Sequence, residues 1–182
     1  MRRIRLSAAV LVGATALLAG CGGSDSGSSG KSADEWASAY CSDANSWVTS
    51  LDDARASVKS GTAPDEAAQT VTDETNTFIE SVNGLGAPDT PDGSTSEATA
   101  KSLATTLSGR IARISAALDT NNPDVTLVQQ TAIVQQQIAA SLADIKTANM
   151  TLAQEDAELG TAMGASSDCT SLDASLAKAS AS

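Results

Sequence analysis

Apolar residues recur at helical spacing along most of the chain, and no segment shows the alternation of a convincing strand. In the first such segment they follow one another in steps of four and three, which places them on one face of a helix. Ser32 and Glu35 form a capping box ahead of that face, and Gly61 follows its end. The predicted core face of helix 1 is Trp36, Tyr40, Ala44, Trp47, Leu51, Ala54 and Val58.

The same spacing predicts three further helices. Thr62, followed by Pro64, starts helix 2, Gly84 ends it, and the loop 84–93, rich in Pro and Gly, leads to helix 3 with a capping box at Ser94–Glu97. An Asn-Asn-Pro turn at 121–123 precedes helix 4. The predicted core faces are Ala67, Val71, Thr75, Phe78 and Val82; Ala100, Leu103, Leu107, Ile111, Ile114 and Leu118; and Leu127, Thr131, Val134, Ile138, Leu142 and Ile145.

Helices of similar length joined mostly by short turns predict an all-α protein, an up-down four-helix bundle. The length fits one domain, which we place at 32–172. The segment 173–182 is expected to be a C-terminal tail whose composition permits disorder.

The chain begins with a basic stretch at 2–5 and an apolar run of about a dozen residues, which suits an export signal and is short for a membrane span. Small residues then lead to Cys21. The stretch 18–21, Leu-Ala-Gly-Cys, resembles the lipobox of signal peptidase II substrates at all four positions. The resemblance implies that residues 1–20 are a signal peptide and that the Cys21 thiol carries a diacylglyceryl group. An ordinary secretory signal with a chance cysteine is the alternative.

A diacylglyceryl thioether carries two acyl chains, which is enough for stable membrane anchoring. Residues 21–31 would form the lipid-anchored linker, and their Gly/Ser-rich composition predicts a flexible coil with a reach of about 15–20 Å. We therefore expect an exported protein held at the outer face of the cytoplasmic membrane. The general secretory route is the default, although Arg2-Arg3 leaves twin-arginine export open.

The charge balance is strongly acidic. Of eleven basic residues, three lie within 1–20, so the mature chain has eight basic against 22 acidic residues and a net charge of −14. Nucleic acids and anionic headgroups both select basic surfaces. We therefore expect no nucleic-acid partner and no direct binding of the domain to anionic lipid.

If Cys21 carries lipid, Cys41 and Cys169 are the cysteines that remain. In an exported protein such a pair predicts a disulfide, and two buried free thiols are the alternative. The bridge restricts helix 4, whose pattern continues to Met163. In an up-down bundle a straight helix to that residue would overshoot the level of Cys41 by about 30 Å. The six residues that remain before Cys169 span only about 20 Å.

We therefore predict a break near 149–151, with a capping box at Thr151 and Gln154. A short fifth helix, from Thr151 to Met163, would turn back toward helix 1.

Trp36, Tyr40 and Trp47 share one face of helix 1 beside Cys41. One hypothesis makes them an aromatic wall that faces a small apolar ligand or lipid, lodged between helix 1 and the last helix. The other, which we favour, is ordinary core packing around a disulfide.

No cofactor or metal site is predicted. Hard cations need six or more converging oxygens, and the acidic loop at 89–94 lacks the ligand spacing of a calcium loop. We interpret Asp144, Glu155, Asp156 and Glu158 as a solvated helix surface. The chain has no His and neither a Gly-rich phosphate loop nor a nucleophile elbow. We expect a non-catalytic protein.

Several features occur together: the lipobox, Trp36 and Tyr40 beside Cys41, the Pro/Gly loop at 85–93, and a late Cys169 followed by Leu172. In these the chain resembles small helical lipoproteins of actinobacteria, a largely uncharacterised group that implies no activity. The leading expectation is a lipid-anchored protein that acts through protein contacts in the cell envelope. The alternative is a binding module for a small apolar ligand or lipid.

Overall fold

The computed structural model describes residues 30–61, 63–119 and 125–181, and nearly all of them are helical. An isolated bridge between Lys31 and Pro88 is the one extended pairing within these ranges. The described chain is therefore all-α, as the spacing predicts. The helices are α1 (Ala33–Lys59), α2 (Pro64–Leu85), α3 (Gly93–Ala117), α4 (Leu127–Glu155), α5 (Ala157–Ala165) and α6 (Ser167–Ala181).

The predicted start of helix 1 is confirmed, and α2 begins at Pro64, two residues after the start predicted at Thr62. The Ser32 hydroxyl accepts the Glu35 N–H, and the Glu35 carboxylate accepts the Ser32 N–H, so the capping box of α1 is complete. Pro64 is the first residue of α2, where its missing N–H costs no helical hydrogen bond. The α2 helix continues one residue past Gly84 to Leu85, and Gly86, whose φ is 69°, is its C-cap.

The α3 helix begins at Gly93, and its N-cap is Asp92 rather than the predicted Ser94. The N–H of Gly93 donates to the carbonyl of Thr90 at 3.1 Å. A Cβ atom on Gly93 would lie 2.0 Å from the carbonyl oxygen of Pro88. The loop therefore turns directly into the helix at a position where a side chain does not fit.

The first turn of α4 departs from the predicted core face. Leu127 is 65% exposed and Val128 78% exposed, and the buried face begins at Val134. The placement of Leu127 in the core is therefore wrong. Spacing gives the direction of a side chain, but it does not say whether a neighbouring helix is long enough to cover it.

The α1 helix is central, since it contacts α2, α4, α5 and α6. It is antiparallel to α2: the indole N–H of Trp36 donates to the carbonyl of Gly86 at 2.8 Å, and that of Trp47 to the Thr75 hydroxyl at 3.0 Å. The α3 helix packs against α2 and α4. None of the described helices combines the length and apolar character needed to span a bilayer.

The predicted break after helix 4 exists, but it lies at Asp156 instead of 149–151. Thr151 is inside α4, where its hydroxyl donates to the carbonyl of Thr147. The Tyr40 hydroxyl bonds the side chain of Asn149, so α4 is displaced along α1 relative to the register that we expected. More of α4 therefore fits before the chain must turn.

The chain after the break forms two helices, where we predicted one from Thr151 to Met163. The α6 helix runs parallel to α1, because residue numbers rise together in the two helices from one side-chain contact to the next. Leu172, Leu176 and Ala179 of α6 are buried. The segment 173–181 is therefore packed helix, and the expectation of a disordered tail there is wrong. The paired side chains are Ser38 with Asp168, Asn45 with Ser175, and Asp52 with Lys178.

Candidate functional site

A disulfide joins Cys41 of α1 to Cys169 of α6, with an S–S distance of 2.02 Å and Cα atoms 4.8 Å apart. Both residues are buried. Beside the bridge, the Ser38 hydroxyl donates to the Asp168 carboxylate at 2.5 Å. The predicted pairing is present, and it fastens the start of α6 to the central helix.

The aromatic residues form one continuous cluster next to this bridge. Trp36 stacks on Tyr40 with ring centroids 5.1 Å apart, and Trp47 stacks on Phe78 at 4.8 Å. Tyr40 and Phe78 join the two stacks at 6.2 Å, with tilted rings. Stacked and tilted arrangements suit the ring quadrupoles and add to the burial of a large apolar surface.

Each polar atom of the predicted ligand-facing residues has a partner inside the fold. The indoles of Trp36 and Trp47 donate as described above, and the Tyr40 hydroxyl donates to Asn149 at 2.9 Å. Burial raises the pKa of Tyr40 above its usual range. The exposed fraction is 0% for Trp36 and Tyr40 and 1% for Trp47, so none presents a surface to a ligand here. Core packing accounts for them.

Asp156 is the most unusual polar group of the described residues, because its side chain is buried at the break between α4 and α5. One carboxylate oxygen accepts the hydroxyls of Thr90 at 2.5 Å and Ser96 at 3.1 Å. The other accepts the Leu159 N–H at 3.0 Å and caps α5. The interpretation of Asp156 as part of a solvated surface is wrong.

The surroundings of Asp156 favour its charged form. Burial tends to raise the pKa of this carboxyl, but the hydrogen bonds from the Leu159 N–H and the hydroxyls of Thr90 and Ser96 outweigh it. The Glu158 N–H adds to the same effect, and the pKa of Asp156 lies below its ordinary value. The group is thus a buried anion held by neutral donors, an arrangement that joins segments and does not move protons near neutral pH.

The other acidic candidates do not converge. Glu155 and Glu158 are exposed, and Asp144 accepts from the Nε of Arg110 at 2.8 Å. Within 30–61, 63–119 and 125–181 no three acidic, Cys or His side chains are grouped so as to hold a metal ion.

Cys21 and its linker up to residue 29 lie outside the described residues, so the lipidation site stays a prediction. No protein-family model matches the chain, and no curated protein and no solved structure does so either. The resemblance to actinobacterial lipoproteins therefore also stays a prediction. What the fold defines is an all-α protein with one disulfide.

The sequence contains a signal for Asp156 as a helix start, which the prediction missed. Asp156 is followed three residues later by Leu159, whose N–H it caps, and Asp is a preferred N-cap residue. Thr151 and Gln154 compete with this signal, because they offer a capping box at the level that the disulfide predicts. No local signal points to Thr90 and Ser96, which reach Asp156 only through the tertiary fold.

Proposed function

We propose that this protein is a lipoprotein of the cell envelope, held by lipid on Cys21 at the outer face of the cytoplasmic membrane. Its helical domain acts there through contacts with another protein and not by catalysis. The observation that carries the proposal is the lipobox at 18–21, followed by a linker that ends where the fold begins.

The disulfide supports a location outside the cytoplasm. Disulfides persist in oxidising surroundings outside the cytoplasm and are rare inside it. Because Cys41 and Cys169 bond each other, Cys21 is the one cysteine left for another role. A free cysteine at the end of an export signal has the position that lipid transfer requires.

The helix contacts support the finer architecture. The α1 and α2 helices are antiparallel, and α3 and α4 are linked by Thr99 to Glu155 and by Arg110 to Asp144, so residue numbers rise in one helix as they fall in the other. We infer that α1 to α4 form the up-down bundle, and that α5 and α6 return along α1. Such a rigid body offers side surfaces to a partner and keeps its aromatic residues for its own core.

Metabolic labelling with palmitate tests the anchor. The full chain, expressed in a bacterial host, should incorporate label, lose residues 1–20 and sediment with membranes. Cys21→Ser should abolish labelling and release the protein, while Ser24→Ala, outside the lipobox, should leave both unchanged. Alkylation of free thiols should show that Cys41 and Cys169 stay bonded in all forms. Unlabelled wild-type protein, or label that persists in Cys21→Ser, would contradict the proposal.

Native mass spectrometry of the protein from its own cell envelope tests how the domain acts. A retained protein partner agrees with action through protein contacts. A retained small apolar molecule would instead favour the ligand-binding alternative and would require the aromatic cluster to open.

A further inference from the structure

The point at which the linker joins the fold is fixed by backbone contacts. Lys31, just ahead of α1, pairs with Pro88 in the loop between α2 and α3. The N–H of Asp89 donates to the carbonyl of Lys31 at 2.7 Å. Since the capping box of α1 begins at the next residue, the chain is held from Lys31 onward.

This attachment lies at one end of the molecule. The loop that holds Lys31 also carries Thr90, which bonds Asp156 where α4 ends. We name this the linker end: the start of α1, the loop 86–92 and the break at Asp156. The α1 helix has 27 residues and is therefore about 40 Å long. At its other end, Lys59 is followed by the start of α2, and we name that the far end.

The fully extended linker is shorter than α1 is long. From Cys21 to Lys31 there are ten residues, which span at most about 36 Å. To place its far end against the bilayer with α1 upright, the protein would have to lift Lys31 by about 40 Å. The pairing of Lys31 with the loop prevents the tether from gaining length by unravelling the start of α1.

We infer that, in the anchored protein, the linker end lies next to the bilayer and the far end points away from it. This inference rests on the proposed lipid anchor. It assigns a direction to the fold: a partner in the membrane meets the loop 86–92, whereas a soluble partner has free access to the far end.

Energy transfer from the protein to headgroup-labelled lipid tests the orientation. Asp92 at the linker end and Ala63 at the far end are a matched pair, because both are exposed N-cap residues whose side chains make no capping bond. Asp92→Cys and Ala63→Cys are each labelled with a maleimide dye, in full-length lipidated protein on phosphatidylcholine vesicles. The bridged cysteines and a thioether at Cys21 do not react. We expect transfer from the dye at position 92 to be about two-fold higher or more, given the length of α1.

Flotation with the vesicles separates the two proposals. Equal transfer from both dyes, or greater transfer from position 63, on protein that floats would overturn the orientation and leave the anchor in place. Protein that fails to float would overturn both. An insertion of ten Gly/Ser residues after Gly30 should reduce the difference in energy transfer between the two dyes, because a longer tether allows the domain to turn its far end toward the bilayer. An unchanged difference would show that the tether does not set the orientation.

Discussion

Asp156 joins three parts of the chain through one carboxylate. It contacts the loop after α2 through Thr90, the first turns of α3 through Ser96, and the start of α5 through Leu159. A buried anion is stable in such a place only when its hydrogen bonds replace those it had with water. We therefore expect Asp156 to contribute more to stability than the exposed acidic residues of the helices do.

Asp156→Asn keeps the size of the side chain and removes its charge. Hydrogen bonds to a charged acceptor are worth about 1.5–3 kcal/mol each. The amide NH2 would either face the Leu159 N–H or require the two hydroxyls to accept instead of donate. We expect the free energy of unfolding in urea at pH 7 to fall by about 2–3 kcal/mol. Asp73→Asn, on the exposed face of α2, is the control and should change it by less than about 0.5 kcal/mol. Equal effects of the two variants would contradict the assigned role.

The Asp156 carboxylate also makes the free energy of unfolding depend on pH in the acidic range. Its pKa is lowered by folding, so its stabilisation is present above the unfolded-state value of about 3.9 and is lost as the pH falls through the folded-state value. The difference in unfolding free energy between wild type and Asp156→Asn should therefore be constant above about pH 5 and shrink below about pH 3.9. Urea titrations from pH 7 to pH 2.5 measure this. A difference that grew on acidification would show the opposite shift.

Substitutions at Tyr40 measure how much its hydrogen bond to α4 contributes to stability. Tyr40→Phe removes the hydroxyl and leaves the Asn149 side chain without that donor, while the stack on Trp36 is kept. We expect a loss of about 1 kcal/mol in thermal or chemical unfolding, the usual value for one buried hydrogen bond. Tyr40→Ala should cost about 3–5 kcal/mol, because it also removes a buried ring and leaves a cavity in the aromatic cluster. Equal costs would mean that the ring itself contributes nothing.

At the scale of elements, the break between α4 and α5 depends on a close approach of two backbones. A Cβ atom on Gly160 would lie 2.5 Å from the carbonyl oxygen of Ala153 in α4. Any side chain at this position would therefore force the backbone of α5 or α4 to shift. The capping by Asp156 fixes where α5 begins, and Gly160 permits the sharpness of the turn.

Two glycines of α5 form a matched test. Gly160→Ala should destabilise the protein by about 1–3 kcal/mol, because backbone must shift to admit the methyl group. Gly164→Ala, with nothing within 4 Å of the added Cβ, should be neutral or stabilise by up to about 1 kcal/mol through helix propensity. Denaturant unfolding of both variants at one pH measures the contrast. Stabilisation by Gly160→Ala would contradict the close approach.

The positions of the helices were more predictable than their limits. Ser32, Glu35 and Pro64 carry local signals, so the start of α1, and that of α2 to within two residues, followed from the sequence. The break at Asp156 did not, because its level depends on how far α4 is displaced along α1. That displacement is fixed by contacts such as Tyr40 with Asn149, which lie 109 residues apart in the chain.

At the scale of the whole molecule, the disulfide connects an early and a late part of the domain's sequence. Cys41 and Cys169 are separated by 128 residues, and the chain between them contains α2 to α5. In the chain-entropy model, a bridge over a loop of this size is worth about 4–5 kcal/mol. The total stability of a domain is typically about 5–15 kcal/mol, so this bridge is a large part of it.

Cys41→Ala combined with Cys169→Ala should lower the free energy of unfolding by about 4–5 kcal/mol. Because α6 is then held to α1 by packing and polar pairs alone, its amides should lose hydrogen-exchange protection first. Wild-type protein reduced under the same conditions is the control and should behave alike. An unchanged midpoint together with an equally protected α6 would show that packing alone holds this helix.

The sequence by itself determined the class of the fold, the starts of two helices and the pairing of two cysteines, because each depends on local spacing or on simple arithmetic over a few residue types. It also contains the Leu-Ala-Gly-Cys stretch at 18–21, on which the proposed anchoring at Cys21 depends. Only the tertiary structure decided that α6 is packed along α1, that Asp156 is buried, and that Lys31 is fastened at one end of the molecule. These features follow from the relative positions of helices, which are set by contacts between residues far apart in the chain.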